Sequence, residues 1–376
     1  MSWLLHLLVG LCLSAGVSAA WGHSSSTSLL EIRSAGADRF SSRLDLPLRD
    51  LALTFRMDQD GDGQIRWSEV LAQKESIDAW VRQGVAIRND QGDCPWQGLD
   101  WAVASHGEEV TLSLVGELAC ESPRQTDSAR LVYRLFFDQD SLHRALFKSD
   151  WSGQWTTGVL SPDRPEAWLS PSRTGFWGNL TAFLVEGVWH IWIGADHIAF
   201  LLSLLLPCVL LQRLPGVGRW QSQPAFGVTL RRVLVVVTAF TLAHSVTLGL
   251  AATGLVSLPD QLVESVIAGS VVAAALMNLV GRGSGLGWQM AFGFGLVHGF
   301  GFANVLGDLG LSTQGLVSGL LGFNLGVELG QLAIVAVFVP LAWWLRSTAF
   351  YQVGVMGLGS MAIAGAGVYW LWERLS

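Results

Sequence analysis
Hydrophobic and polar positions divide the chain into two unlike parts. After a short apolar run, Leu4 to Val17, charged residues are interspersed with β-branched and aromatic ones as far as about residue 175. Within that region Glu109 to Leu118 and Leu131 to Phe137 alternate, or run in β-branched and aromatic residues, between turn-formers, which predicts strands. Beyond residue 178 this pattern gives way to six apolar segments, at about 181–211, 230–254, 261–280, 286–306, 315–344 and 350–372. Each is long enough to cross a hydrocarbon core of roughly 30 Å as a helix. The pattern predicts an all-α polytopic membrane bundle of about six transmembrane helices, residues 178–376, preceded by a small β-rich domain, residues 21–175.

Composition supports this division. A chain with 51% hydrophobic and 14% charged residues is too apolar for an ordinary soluble protein. Its net charge of -7 resides mainly in residues 21–175, and the absence of a basic block argues against nucleic acid as a partner. The first apolar run ends in small residues, with Val17-Ser18-Ala19 resembling a cleavage site, so residues 1–20 read as an export signal, or alternatively as a retained anchor. Either reading places the following domain outside the cytoplasm. Cys12 then belongs to the leader and Cys208 to a membrane segment, leaving Cys94 and Cys120 as an exported pair expected to form a disulfide.

Residues Asp58 to Glu69 resemble the twelve-residue EF-hand calcium loop. Asp58, Asp60 and Asp62 stand at its carboxylate positions 1, 3 and 5, Gly63 at the sharp turn, Gln64 where a backbone carbonyl serves, and Glu69 at the closing position 12. Arg66 at position 9 is unusual. Without a second loop to pair with, the expected role is a weak, structural calcium site in an exported domain. Trp151, Trp155 and Trp168 are expected in the core or at a membrane interface. The domain contains no nucleophile elbow, phosphate loop or catalytic dyad.

Basic residues give the bundle an orientation. Arg213, Arg219, Arg231, Arg232, Arg282 and Arg346 fall in or beside alternate connections, which the positive-inside rule assigns to the cytoplasm. The exported domain and the C-terminus are then both outside. On this topology the intramembrane polar residues, expensive in lipid and therefore functional candidates, gather in the outer half or near the midplane. They are His190, Asp196 and His197 on the first segment, His244 and Ser245 on the second, Glu264 and Ser265 on the third, His298 on the fourth, and Asn324 and Glu328 on the fifth. A separation of seven residues puts His190 and His197 on one helical face, while Asp196 turns aside, to meet another helix or fix a histidine tautomer. Imidazoles from three helices with carboxylates nearby suit a borderline transition metal such as zinc or nickel, with His190, Asp196, His197, His244, His298 and Glu328 as candidate ligands.

The H-x5-D-H pattern of His190 to His197 followed by Phe200-Leu201-Leu202, with Ala243-His244-Ser245-Val246-Thr247-Leu248, His298-Gly299-Phe300-Gly301 and Asn324-Leu325-Gly326-Val327-Glu328, resembles the HupE/UreJ family of bacterial membrane proteins. The resemblance covers residues from about 178 to the end. It implies residence in the bacterial plasma membrane and a nickel or cobalt permease activity in which His190, Asp196 and His197 lie on the metal pathway. The long exported domain sets this chain apart from the compact permeases, and no Glu follows closely after His298-Gly299. Three functions stay open: a divalent-metal transporter; an intramembrane zinc hydrolase of a lipid or membrane peptide, with Asp196 or Glu328 as base and Ser245 orienting water or an oxyanion; and a membrane anchor for a calcium-binding domain that recruits a periplasmic partner.

Overall fold
A computed structural model describes residues 27–35, 39–89, 92–106, 109–120, 129–141, 143–151, 153, 155–169, 176–211, 220–281, 287–301 and 313–375. The leader, Arg213, Arg219, Arg282 and the loop around Asp308 lie outside the described residues.

The N-terminal region is β-rich, as its alternation predicts. Strands β1 (Thr27–Ser34), β2 (Arg39–Pro47), β5 (Trp96–His106), β6 (Glu109–Ala119), β8 (Arg144–Ser149) and β9 (Thr156–Leu160) form one sheet in the order β5-β6-β2-β1-β8-β9. A second sheet, β10-β7-β3-β4, is built from β3 (Val85–Asn89), β4 (Gly92–Cys94), β7 (Arg130–Tyr133) and β10 (Glu166–Trp168). All pairings are antiparallel except β1 with β8. The expected strand at Leu131–Phe137 stops early because Phe136 takes a left-handed conformation, φ 64°, which turns the chain out of the sheet.

The inward positions Ile32, Leu44, Leu114 and Ile87 join the helices α1 (Leu48–Phe55), α2 (Trp67–Ala72) and α3 (Lys74–Gly84) in a single core. The Cys94–Cys120 disulfide forms as expected and ties the end of β4 to the residue after β6, so it joins the two sheets. Trp151 is buried and stacks on Phe40 at 4.0 Å. Trp155 and Trp168 instead sit beneath the cations Lys148 and Arg130, at 4.4 and 4.7 Å.

Four helices of the C-terminal region are long and apolar enough to cross a membrane: α6 (Phe226–Ala252), α7 (Asp260–Leu279), α9 (Thr313–Leu345), and the span Phe350–Leu375, which is π-wound to Gly359 and continues as α10 (Ser360–Leu375). A fifth candidate is broken. The first apolar segment, expected as one helix, is two, α4 (Phe176–Ile193) and α5 (Ala195–Leu205 with a following 3-10 turn to Val209), bent by 73°. The fourth expected span is described only as α8 (Gly287–His298), whose 12 residues rise ~18 Å, short of a full crossing. The described residues therefore give four spans, or five with the broken pair, where six were expected.

Strand β8 is buried on both faces. Ala145 and Phe147 enter the core of the β-domain, while Leu146, with Leu29 and Val159, packs into the helical cluster containing Phe183. At the same junction Arg144 Nε donates to Glu186 Oε2 at 2.9 Å, a pair only about one-sixth exposed.

Next to this edge His143 is fully buried, with the hydroxyls of Ser28 and Tyr133 both 3.1 Å from Nε2. Burial pushes its pKa down from 6.5 to about 3. The native state thus refuses a proton that the unfolded chain accepts between pH 6.5 and about 3, and stability falls as pH drops through that window. At pH 4.5 the loss is about 2 to 3 kcal/mol relative to pH 7. Hydrogen exchange of the β1, β7 and β8 amides in the full-length protein should report this loss, and His143→Gln should flatten the dependence.

Candidate metal centre
The break between α4 and α5 falls at Gly194, where a Cβ would stand 2.7 Å from His197 Nδ1 and 2.9 Å from the His190 carbonyl oxygen. A side chain does not fit there. The helical-phase argument for His190 and His197 therefore gives way to a different cause. The two residues lie on separate helices, and the bend at Gly194 brings their rings to 4.5 Å in an edge-to-face arrangement.

Asp196 stands in the first turn of α5, where backbone N–H groups lack helical acceptors. Its Oδ1 accepts the His197 backbone N–H at 2.8 Å and lies 3.0 Å from His197 Nδ1. Its Oδ2 lies 3.6 Å from Arg374, which also pairs with Glu264 at 3.5 Å. Asp196 thus meets another helix and also holds a histidine nitrogen. Arg374 carries a signal that was available in the sequence, since an arginine in the last turn of the last span runs against the positive-inside trend on the topology expected from the sequence.

Two tight helix contacts position the remaining candidate residues. Helices α4 and α9 run side by side, and a Cβ on Gly322, Gly326 or Gly187 would collide with the Leu180, Leu184 or Phe323 carbonyl oxygen respectively. These small residues permit backbone contact. Helix α8 approaches α6 in the same manner, through Gly295 against Phe240 and Gly299 against Thr247 and the His244 carbonyl. His298, the last residue of α8, then lies with its ring 5.1 Å from that of His197.

Hydrogen bonds fix the protons of three of these rings. His298 Nδ1 is 2.9 Å from the Phe294 carbonyl, which only accepts, so Nδ1 is the donor. Asn324 gives its N–H to the Leu320 carbonyl at 2.8 Å and turns Oδ1 to His244 Nδ1 at 3.1 Å, so His244 also donates from Nδ1. Asp196 does the same for His197. In the neutral imidazole each Nε2 then carries a lone pair, and the Nε2 atoms of His197, His244 and His298 are buried with no hydrogen-bond partner among the described residues. Phe200, Phe240 and Phe323 surround the imidazoles at ring distances of 5.2 to 6.2 Å. Nitrogen lone pairs among aromatic rings match the donor chemistry of a borderline transition metal.

The candidate ligands do not all gather. Glu328 accepts from Thr238 at 3.1 Å, below the imidazoles, and Ser245 donates to the Thr241 carbonyl of its own helix at 2.6 Å. Asn278 donates to the Ser203 carbonyl at 2.7 Å. Among the described residues, the group of carboxylate or imidazole ligand atoms found within 4.8 Å of one another is Asp58, Asp60 and Glu69. The bundle imidazoles stand around a wider space than the roughly 3.4 Å donor spacing of a tetrahedral ion.

In the loop from Asp58 to Glu69, Asp58 accepts from the Gly61 and Gly63 N–H groups, and Glu69 accepts from those of Gln59 and Arg66. Arg66 extends into the loop and pairs with Asp60 at 2.8 Å and with Asp62. The Gln64 N–H and Arg66 together hold Asp62 below the usual carboxylate range, and Arg66 supplies a positive charge where the EF-hand pattern has a cation.

Residues 169–374, more than half of the chain, match the family described as HupE / UreJ protein. The chain belongs to the HupE/UreJ family. A comparison with curated proteins finds no match. Within this HupE/UreJ region lie the broken helix pair, all four bundle histidines, Asp196, Asn324 and Arg374, whereas the β-rich region precedes it.

Because α9 meets α4 backbone to backbone at Gly326, Gly326→Ala should lower the detergent-solubilised protein's stability by about 1 to 3 kcal/mol. Gly293→Ala, where a Cβ meets nothing within 4 Å, should leave the melting temperature unchanged or raise it.

Proposed function
We propose that the membrane domain transports a divalent transition metal of the nickel or cobalt class, with His190, His197, His244 and His298 forming its capture site. The observation that carries this reading is the set of buried Nε2 atoms, without a hydrogen-bond partner among the described residues, on three imidazoles whose Nδ1 atoms are already committed. Membership of a family regarded as nickel and cobalt permeases supports it.

Backbone electrostatics favour a cation at the same place. Helix α4 ends at Ile193 and α8 ends at His298, so two helix C-termini, each with a partial negative charge, converge on the imidazoles. Discontinuous helices that present their ends to an ion are a recurring feature of secondary transporters. The wide ligand spacing suits exchange rather than permanent retention. From His244 a line of polar pairs continues along the α6–α9 contact, Thr241 with Gln331 at 3.4 Å and Thr238 with Glu328 at 3.1 Å. In this scheme Glu328 receives the ion after the imidazoles release it. The hydrolase reading has less support, because, of its candidate groups, Ser245 and Glu328 are engaged away from the imidazoles, and Asp196, the other candidate base, is engaged by His197 and Arg374.

Uptake of nickel or cobalt into vesicles containing the full-length protein tests the proposal. His197→Ala and His298→Ala should each reduce uptake and equilibrium metal binding by roughly tenfold or more, and Asp196→Asn by about 10- to 100-fold through loss of the carboxylate charge that raises the basicity of His197. Glu328→Gln should slow transport while leaving binding nearly intact. Zinc-dependent hydrolysis of a membrane lipid or peptide without uptake, or uptake unaffected by the histidine substitutions, would refute the assignment.

We further propose that the Asp58–Glu69 loop binds calcium weakly, in competition with Arg66. Terbium luminescence sensitised by the neighbouring Trp67 provides a readout. Glu69→Gln should weaken binding, and Arg66→Ala should tighten it by roughly 3- to 10-fold by removing a like charge from the site. Unchanged affinity in Arg66→Ala would contradict the competition.

A further inference from the structure
The end of the bundle remote from the imidazoles contains a groove that the transport scheme does not use. It has a volume of about 560 Å³ and lies between the end of α5, the start of α6 and the start of α8. Leu204, Cys208, Val235 and Trp288 contribute its apolar walls, and Arg231 and Arg232 stand together among its lining residues. Its form follows from the helix contacts already described. Gly295 and Gly299 draw α8 onto the backbone of α6 near the histidines, whereas at Gly287 the nearest atom a Cβ would meet is the end of the Val236 side chain, at 3.3 Å.

Arg231 and Arg232 are exposed, and neither guanidinium has an ion-pair or hydrogen-bond partner among the described residues. They occur about one and a half turns into a 27-residue helix whose length, ~40 Å, exceeds the roughly 30 Å hydrocarbon core by about 10 Å. That excess puts the pair at the level of the lipid headgroups, and 13 residues, ~20 Å, separate Arg231 from His244. Two unpaired cations beside an apolar groove, with an exposed tryptophan at its rim, require an anion joined to a hydrocarbon chain. The same charges repel a divalent cation, so this opening is unsuited to its passage.

We propose that this groove is a binding site for one anionic phospholipid. The phosphodiester is held by Arg231 and Arg232 through charge-assisted hydrogen bonds, and an acyl chain lies between Leu204, Val235 and Trp288. Basic pockets between helices at a bilayer surface recognise acidic headgroups by this combination of charge and apolar contact. The site is independent of the metal reading, because it shares no residue with the capture site.

Native mass spectrometry of the full-length protein, exchanged into detergent with equal amounts of phosphatidylglycerol and phosphatidylcholine, tests the site. The expected result is one retained phosphatidylglycerol, with retention reduced roughly tenfold or more in R231Q/R232Q and restored to within about threefold in R231K/R232K. V235W, which fills the groove and keeps both charges, should also lose the lipid, and provides the decisive variant if R231Q/R232Q does not fold. Equal retention of the two lipids, or undiminished phosphatidylglycerol in V235W, would overturn the proposal. Displacement of the lipid by inorganic phosphate at the same concentration would also overturn it, because the groove would then be reading phosphate alone.

Discussion

A helix crossing an apolar medium must satisfy its backbone polar groups internally, and a break in such a helix is tolerated only where protein groups take over. The break at Gly194 is the constraint on which the centre depends. It frees N–H groups at the start of α5, and Asp196 accepts one of them. That carboxylate thereby lies against His197 Nδ1, which directs the other ring nitrogen toward His298. The bend also places the C-terminal end of α4 at the imidazoles. Ring separation, tautomer and local field therefore share one origin, the absence of a Cβ at residue 194.

Much of this was legible in the sequence, and the exceptions have physical reasons. Apolar length and strand-type patterning located the β-rich region and the helical region, because both report burial directly. The grouping of His190, His197, His244 and His298 followed from topology and depth, which depend only on where spans begin. The bend could not be read from periodicity, since Gly194 lies within an unbroken apolar segment and its effect depends on the space left by His190 and His197. Glu328 was assigned to the imidazoles from its position one turn from Asn324, yet the local rotation of α9 against α6 pairs it with Thr238. The Arg144–Glu186 pair joins residues 42 positions apart across the two regions, and no local pattern encodes it.

This junction gives the β-rich region a mechanical connection to the bundle. Along α4, Glu186 meets Arg144, Gly187 meets the backbone of α9, and His190 meets His197, all within about one turn. Leu146 adds apolar contact from the neighbouring strand. A displacement of the sheet would therefore act first on the helix that carries His190. The disulfide between the two sheets and the helical flanks of the Asp58–Glu69 loop belong to the same folded unit, so its rigidity bears on the His190 end of the proposed pathway.

Within the bundle, the glycine contacts define two closely joined helix pairs, α4 with α9 and α6 with α8. The first contributes His190 and Asn324, the second His244 and His298, and α5 brings His197 between them. Backbone contacts of this kind resist sliding, because any shift drives Cα atoms into carbonyl oxygens. The links between the pairs differ in kind: His244 with Asn324, Thr241 with Gln331, and Thr238 with Glu328 are side-chain hydrogen bonds, each worth on the order of 0.6 kcal/mol in a membrane interior. A movement of one pair against the other would break these bonds, displace the ring contact of His244 with Phe323 and separate His190 from His298. The imidazole group would open by that movement while both glycine interfaces stayed intact. The proposed transport would thus require no unfolding of a span, only the exchange of weak polar bonds and side-chain contacts along one helix contact.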